Sequence, residues 1–142
     1  MVHALKQIRQ MLAPNGCLID MHPIGKPAPI TVRIGEERHL AGWIREESEY
    51  EQYLLADEAL QTAVAHNWYQ QKADETFAFI TYFDSLPDLE QYLAEEWKAA
   101  YIESLVSMQI ESLMRSPILD QEIIIKEIVR IACFTPNFWL TT

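Results

Sequence analysis

Asp20 and His22 stand two residues apart at the end of the apolar run Cys17-Leu18-Ile19, with Pro23 just beyond them. In an extended segment residues two apart share a face, so a carboxylate and an imidazole come side by side. The carboxyl end of a strand is where α/β proteins place ligand groups, and an Asp–His pair there can act as general base or hold a substrate. The plainer alternative is that both face solvent or make local hydrogen bonds. Arg33 and Arg45 near Trp43 offer a second candidate, a carboxylate-binding fork beside an indole, against the alternative of ordinary surface charge. Asp20, His22, Arg33 and Trp43 are therefore the candidate substrate-pocket residues. Trp68, Tyr82, Trp97 and Tyr101 could join Trp43 around a flat or apolar ligand, although aromatics at helical or strand spacing more often build core.

Other chemistries have little to work with. His3, His39 and His66 lack a ligating residue three or four positions on, and Cys17 and Cys133 form no C-x-x-C, so no metal site is expected. No serine sits in a G-x-S-x-G elbow and neither cysteine lies near a histidine in a recognisable arrangement, so no catalytic residue is assigned. Both cysteines fall inside apolar segments and read as small buried hydrophobes in a reducing compartment, with the cytoplasm as the default. With 21 acidic against 11 basic residues, the net charge of −10 repels phosphate backbones, and no basic patch offsets it. Nucleic acid is not an expected partner. No apolar run reaches the roughly 18 residues of a membrane helix, and the amino terminus lacks the pattern of a signal peptide.

The elements that must position these residues follow from periodicity. Leu5, Ile8 and Leu12 mark one face of a helix that Pro14 ends. Asn15-Gly16 supplies a turn tolerant of positive φ, and Cys17 to His22 is a strand. Ile30, Val32 and Ile34 alternate with Thr31 and Arg33 as a half-buried strand. It turns at Gly35-Glu36-Glu37 and returns over His39 to Ile44, where Gly42 signals a bulge or a close backbone contact. A helix follows from Glu47 to about Trp68, with a capping box at Ser48 and Glu51, ended by Asn67 and Gln70-Gln71-Lys72. Phe77 to Tyr82 is apolar on both faces, which places it centrally in its sheet.

Ser85-Leu86-Pro87-Asp88 opens a helix that meets no breaker before Ser116-Pro117. Unbroken, some 28 residues would reach about 42 Å, so the segment 86–115 either kinks near Lys98–Ala100 or projects into a partner subunit. Ile123 to Phe134 is the last strand, and Phe138-Trp139-Leu140 is an apolar tail. At 142 residues and 49% hydrophobic, the chain is expected to form a single domain over 1–142. The fold class is α+β: a mostly antiparallel sheet of about five strands with three helices.

Leu5-x-x-Ile8-Arg9-x-x-Leu12-x-Pro14-Asn15-Gly16-Cys17-Leu18-Ile19 resembles the helix–turn–strand that class I S-adenosylmethionine-dependent methyltransferases carry late in their Rossmann-like domain. Asn15 stands where that family usually has Gly, and Asn is the next best residue for a positive φ. The last strand, through Ile131 to Phe134, is similar to the family's last strand pair. The specific similarity covers about 20 residues. The family's cofactor site needs a Gly-rich loop, yet the four glycines here, Gly16, Gly25, Gly35 and Gly42, form no G-x-G. By the resemblance, that half would lie upstream of Met1, and no residue here can be assigned to the cofactor. The implied protein is a methyltransferase-like carboxyl-terminal half of Rossmann-like type, without a cofactor of its own. S-adenosylmethionine would enter only with an upstream domain, and the isolated chain would not be an active enzyme. It would act as a binding or interaction module, as a homodimer or with a separate methyltransferase-type subunit. The alternatives are an α+β dimer with a small-molecule pocket between sheet and helices, and a subunit completing a separate S-adenosylmethionine-binding domain.

Overall fold

The computed structural model describes residues 1–47 and 49–138. Four helices and seven strands follow one another in the order α1 (Val2–Met11), β1 (Leu18–Pro23), β2 (Pro29–Ile34), β3 (Glu37–Trp43), β4 (Arg45–Glu46), α2 (Glu49–Ala65), β5 (Tyr69–Phe83), α3 (Leu86–Glu96), β6 (Ala100–Tyr101), α4 (Ser104–Met114) and β7 (Gln121–Pro136). The class is α+β, with a mostly antiparallel sheet in the strand order β1-β7-β2-β3 and β5 also against β7. By contacts the chain divides into two compact units.

The first unit comprises Met1–Gly25, Glu51–Phe77 and Val129–Thr142. Here β1 runs antiparallel to the carboxyl-terminal half of β7, with Leu18 opposite Phe134 and His22 opposite Arg130. Leu18, Asp20 and His22 turn inward while Ile19 and Met21 point out, the period-two alternation of a strand covered on one face. The core packs Leu5 of α1 and Ala59, Leu60 and Ala63 of α2 with Tyr69, Ala132 and Phe134. Tyr69 is fully buried, and its hydroxyl donates to the carbonyl of Leu5 at 2.7 Å, which satisfies the one polar atom this ring brings inside. Helix α2 stops because Asn67 adopts φ 58°, and the Trp68 N–H returns to the Ala63 carbonyl at 3.0 Å. The Pro14-Asn15-Gly16 corner joins α1 to β1 as expected, but without positive φ. Gly16 is needed there for room: its N–H reaches the Ala13 carbonyl at 2.8 Å, and a Cβ would sit 3.1 Å from that oxygen.

The second unit comprises Lys26–Tyr50 and Ala78–Ile128. The β2–β3 hairpin turns at Gly35, whose φ of 58° suits a residue without a Cβ, and β2 pairs antiparallel with the start of β7. Ile30, Val32, Ile123 and Ile125 from these strands pack with Leu86, Leu89 and Leu93 of α3 and Ile110 of α4. Helix α3 starts as its sequence dictates: Ser85 Oγ accepts from the Asp88 N–H at 3.2 Å, with Pro87 in the first turn.

Several expectations need correction. The described residues form four helices, not three, because the segment 86–115 is broken rather than kinked. Helix α3 ends at Glu96 with Trp97 as its cap, the chain turns, and Ala100–Tyr101 pairs with Arg45–Glu46 before α4 begins. No Gly or Pro marks the break, so strand pairing supplies the stop that local sequence lacks. Strand β5 begins at Tyr69, eight residues before the expected Phe77, and takes in Gln70-Gln71-Lys72. It is not central: among the described residues it pairs only with β7, and Phe79 and Tyr82 are more than half exposed. Cys17 is exposed and Cys133 half-buried, both as free thiols, so the first is not a core residue. The Ser48 cap and the tail residues Trp139 and Leu140 lie outside the described residues. No described helix is long and apolar enough to cross a membrane.

Candidate functional site

Helix α2 presents Tyr53 and Asp57, one turn apart, to the inward face of β1. His22 meets both. Its ring stacks on Tyr53 with centroids 6.1 Å apart and planes 15° from parallel. Its Nε2 lies 3.0 Å from Asp57 Oδ1. On the other side Nδ1 approaches Asp20 Oδ2 to 2.7 Å, close enough for an ion pair but not aligned as a hydrogen bond. The predicted pair is therefore real, and β1 is extended at this point as the two-residue spacing requires.

The cluster continues across the sheet. Arg130 is the cross-strand neighbour of His22, and its Nη1 donates to the same Asp57 Oδ1 at 2.8 Å. Its Nε and Nη2 form a two-pronged contact with Asp74 of β5 at 2.8 and 2.7 Å. That guanidinium holds the Asp74 carboxyl below the usual carboxylate range, while the hydrogen bonds to Asp74 push Arg130 the other way. Three carboxylates thus face one guanidinium and one imidazole. The His22 side chain is only 10% exposed and both its nitrogens point at carboxylates. An imidazole held this way is a fixed link between β1 and α2, with neither nitrogen open as a general base.

Arg33 and Trp43 belong to the second unit and are not brought to this cluster. Arg33 uses all three guanidinium nitrogens, donating to Glu122 at 2.9 Å, to the Gly35 carbonyl at 2.6 Å and to Asp120 at 3.1 Å. These contacts hold the Asp120 carboxyl low and raise the guanidinium further above its ordinary value. Its fork is filled by the protein. Trp43 lies at the far end of the hairpin, opposite Pro29, where it is 43% exposed. With Lys26, Pro27 and Arg45 it borders a cavity of about 410 Å³.

Asp57, Tyr53, Arg130, Asp74 and Lys26 were not among the sequence candidates. The first two had a signal, a four-residue spacing on one predicted helix. Arg130 had a weaker one, a charge inside a β-branched strand, and Asp74 was hidden by the misplaced start of β5. Among the described residues no cluster of three or more His, Cys, Asp or Glu side chains is arranged to hold a metal ion. The Cys133 thiol is raised by desolvation and by the neighbouring Cys17 thiol, which leaves it a weak nucleophile. No protein-family model, curated protein or solved structure matches this chain.

Proposed function

We propose that this chain is a methyltransferase-like carboxyl-terminal module that works by association and has no methyl-transfer activity alone. The carrying observation is the state of β1. Helix α1, the Pro14-Asn15-Gly16 corner and β1 occur in the order the resemblance implies, yet among the described residues β1 pairs with one strand, β7. A strand interior to the family's full sheet thereby has a free edge, and such an edge invites a further strand. Beside it Ile19 and Met21 are 60% and 61% exposed, apolar surface of the kind a joining partner covers. The sequence holds no Gly-rich loop, and the one acid–base pair it offers is locked among carboxylates.

The partner is a second copy or a separate cofactor-binding subunit in a reducing, cytoplasmic setting. Calorimetric titration of the isolated chain with S-adenosylmethionine tests the reading, and no heat of binding is expected. Micromolar binding to a single copy would overturn it. Sedimentation of the wild type against Ile19→Lys/Met21→Lys reads the association directly: self-assembly lost in the double variant identifies the copy, whereas an unchanged monomer assigns the edge to the other subunit.

A further inference from the structure

The corner around Trp43 is built, and it does not depend on the association reading. Between Ile30 and Thr31 the β2–β3 register shifts, with Ile30 opposite Gly42 and Thr31 opposite Leu40, so Ala41 is an extra residue on β3. A bulge of this kind re-aims the side chains beyond it. It is pinned from behind, because a Cβ on Gly42 would lie 2.5 Å from a Val106 methyl group of α4. The next residue, Trp43, therefore leaves the strand in a fixed direction with much of its indole in solvent.

Two cations border the same cavity as that ring. Lys26 follows Gly25, whose φ of 73° suits a residue without a Cβ. Arg45 donates its Nε to Glu103 at 2.9 Å, which orients the guanidinium, and its two terminal nitrogens make no hydrogen bond among the described residues. In a chain of net charge −10, two of its 11 basic residues border one cavity of about 410 Å³ beside an exposed aromatic face. Among the described residues no acidic side chain borders that cavity. An indole face attracts flat rings, and a guanidinium with free terminal nitrogens takes two oxygens of an anion at once.

We infer that this corner binds a small aromatic anion, a flat ring bearing a carboxylate or a phosphate. The ring stacks on Trp43, and the anion sits between Lys26 Nζ and the terminal nitrogens of Arg45. Neutral aromatics lack the charge contact and ringless anions lack the stack, so each binds more weakly than the combined ligand. The site is open to solvent, so binding weakens as salt is raised.

The test is an NMR titration of the full chain that follows the Trp43 indole N–H, assigned by its loss in Trp43→Phe. The probes are benzoate, phenyl phosphate, benzyl alcohol and inorganic phosphate. Saturable shifts are expected from benzoate, phenyl phosphate or both, with inorganic phosphate and benzyl alcohol at least tenfold weaker. Preference between the first two assigns the anion. Lys26→Ala and Arg45→Ala should each weaken binding about fivefold, and Trp43→Ala should abolish it, with melting temperatures near wild type because all three side chains are at the surface. Benzyl alcohol binding as well as the charged rings would overturn the inference. So would unchanged affinity in both charge variants, or no saturable shift from either anion.

Discussion

The two units solve the same problem with different materials. The second fills its centre with Ile30, Val32, Leu86, Leu89, Leu93, Ile110, Ile123 and Ile125, branched or long side chains whose burial is the main source of stability. The first has alanine at Ala59, Ala63 and Ala132, so each contact there removes less apolar surface from water. It relies more on specific polar links, the Tyr69 hydroxyl on Leu5 and the Asp57 carboxylate shared by His22 and Arg130. It also leaves Ile19 and Met21 uncovered. A unit rich in apolar burial can hold a rigid surface corner such as that of Trp43.

Matched truncations give the largest test of this contrast. Leu89 is fully buried, and Leu89→Ala is expected to lower stability by about 3–5 kcal/mol, since transfer energy and a cavity are lost together. Leu60, 7% exposed and bordered by alanines, should lose about 2 kcal/mol on the same change. Urea unfolding of both variants decides the matter. Equal losses would mean the two cores are equivalent and the contrast fails.

Gly42→Ala comes next, at about 1–3 kcal/mol, because the new methyl group meets Val106 well inside van der Waals distance and the φ of 156° is one that residues with a Cβ rarely adopt. Val106→Ala removes the two methyl groups at 2.5 and 2.7 Å but leaves the Val106 Cβ at 3.1 Å and the backbone cost of φ 156° at residue 42. Thermal melts of the double variant should therefore show a loss smaller than the sum of the two single losses, without a return to wild type. Simple additivity would show that Val106 does not pin the bulge, and would remove the reason for Trp43 to be rigid.

These same positions show what was legible in the sequence. The hairpin, its bulge at Gly42, the Ser85 cap and the Asp20–His22 pair are local features, set by residues near one another in the chain, and each is present. Length alone calls for a kink near Lys98–Ala100 as one of two outcomes, but a full break there was not legible, because its cause is pairing with Arg45–Glu46, more than 50 residues away. The edge position of β5 was missed for a related reason. Two apolar faces signal burial on both sides only when something covers them, and Phe79 and Tyr82 are exposed. The sequence leaves Arg33 open between a carboxylate-binding fork and ordinary surface charge, because its partners Asp120 and Glu122 enter only through the register of β7.

The two charged clusters sharpen the contrast at a smaller scale. Asp57 is about one-quarter exposed and serves both His22 and Arg130, so Asp57→Asn should lower stability by about 1–2 kcal/mol and shift the His22 ring resonances as the Tyr53 stack loosens. Asp120 is 73% exposed, so Asp120→Asn should change stability by about 0.5 kcal/mol or less. Equal effects would show that both clusters are surface ion pairs, and Asp57 would lose its place as the hub of the first unit.

The smallest effect is in the pH dependence, where the units should differ in sign. Arg130 holds Asp74 below its ordinary 3.8, so the folded chain releases that proton more readily than the unfolded one. The resulting stability is present above 3.8 and is lost as pH falls through the lower folded value. Glu127 of the second unit is the reverse case, because burial raises its carboxyl above the ordinary 4.5. The folded chain keeps that proton longer, so stability falls as pH rises from 4.5 through the folded value, and a penalty persists above it. Glu127→Gln should therefore raise stability slightly at pH 7, by about 0.5 kcal/mol or less, and flatten the loss of stability just above pH 4.5. Asp74→Asn should do the opposite, lowering stability at pH 7 and leaving it unchanged in strong acid. Melting curves from pH 3 to 7 separate the two, and a Glu127→Gln variant less stable than wild type at pH 7 would show that the carboxylate has a partner outweighing its burial.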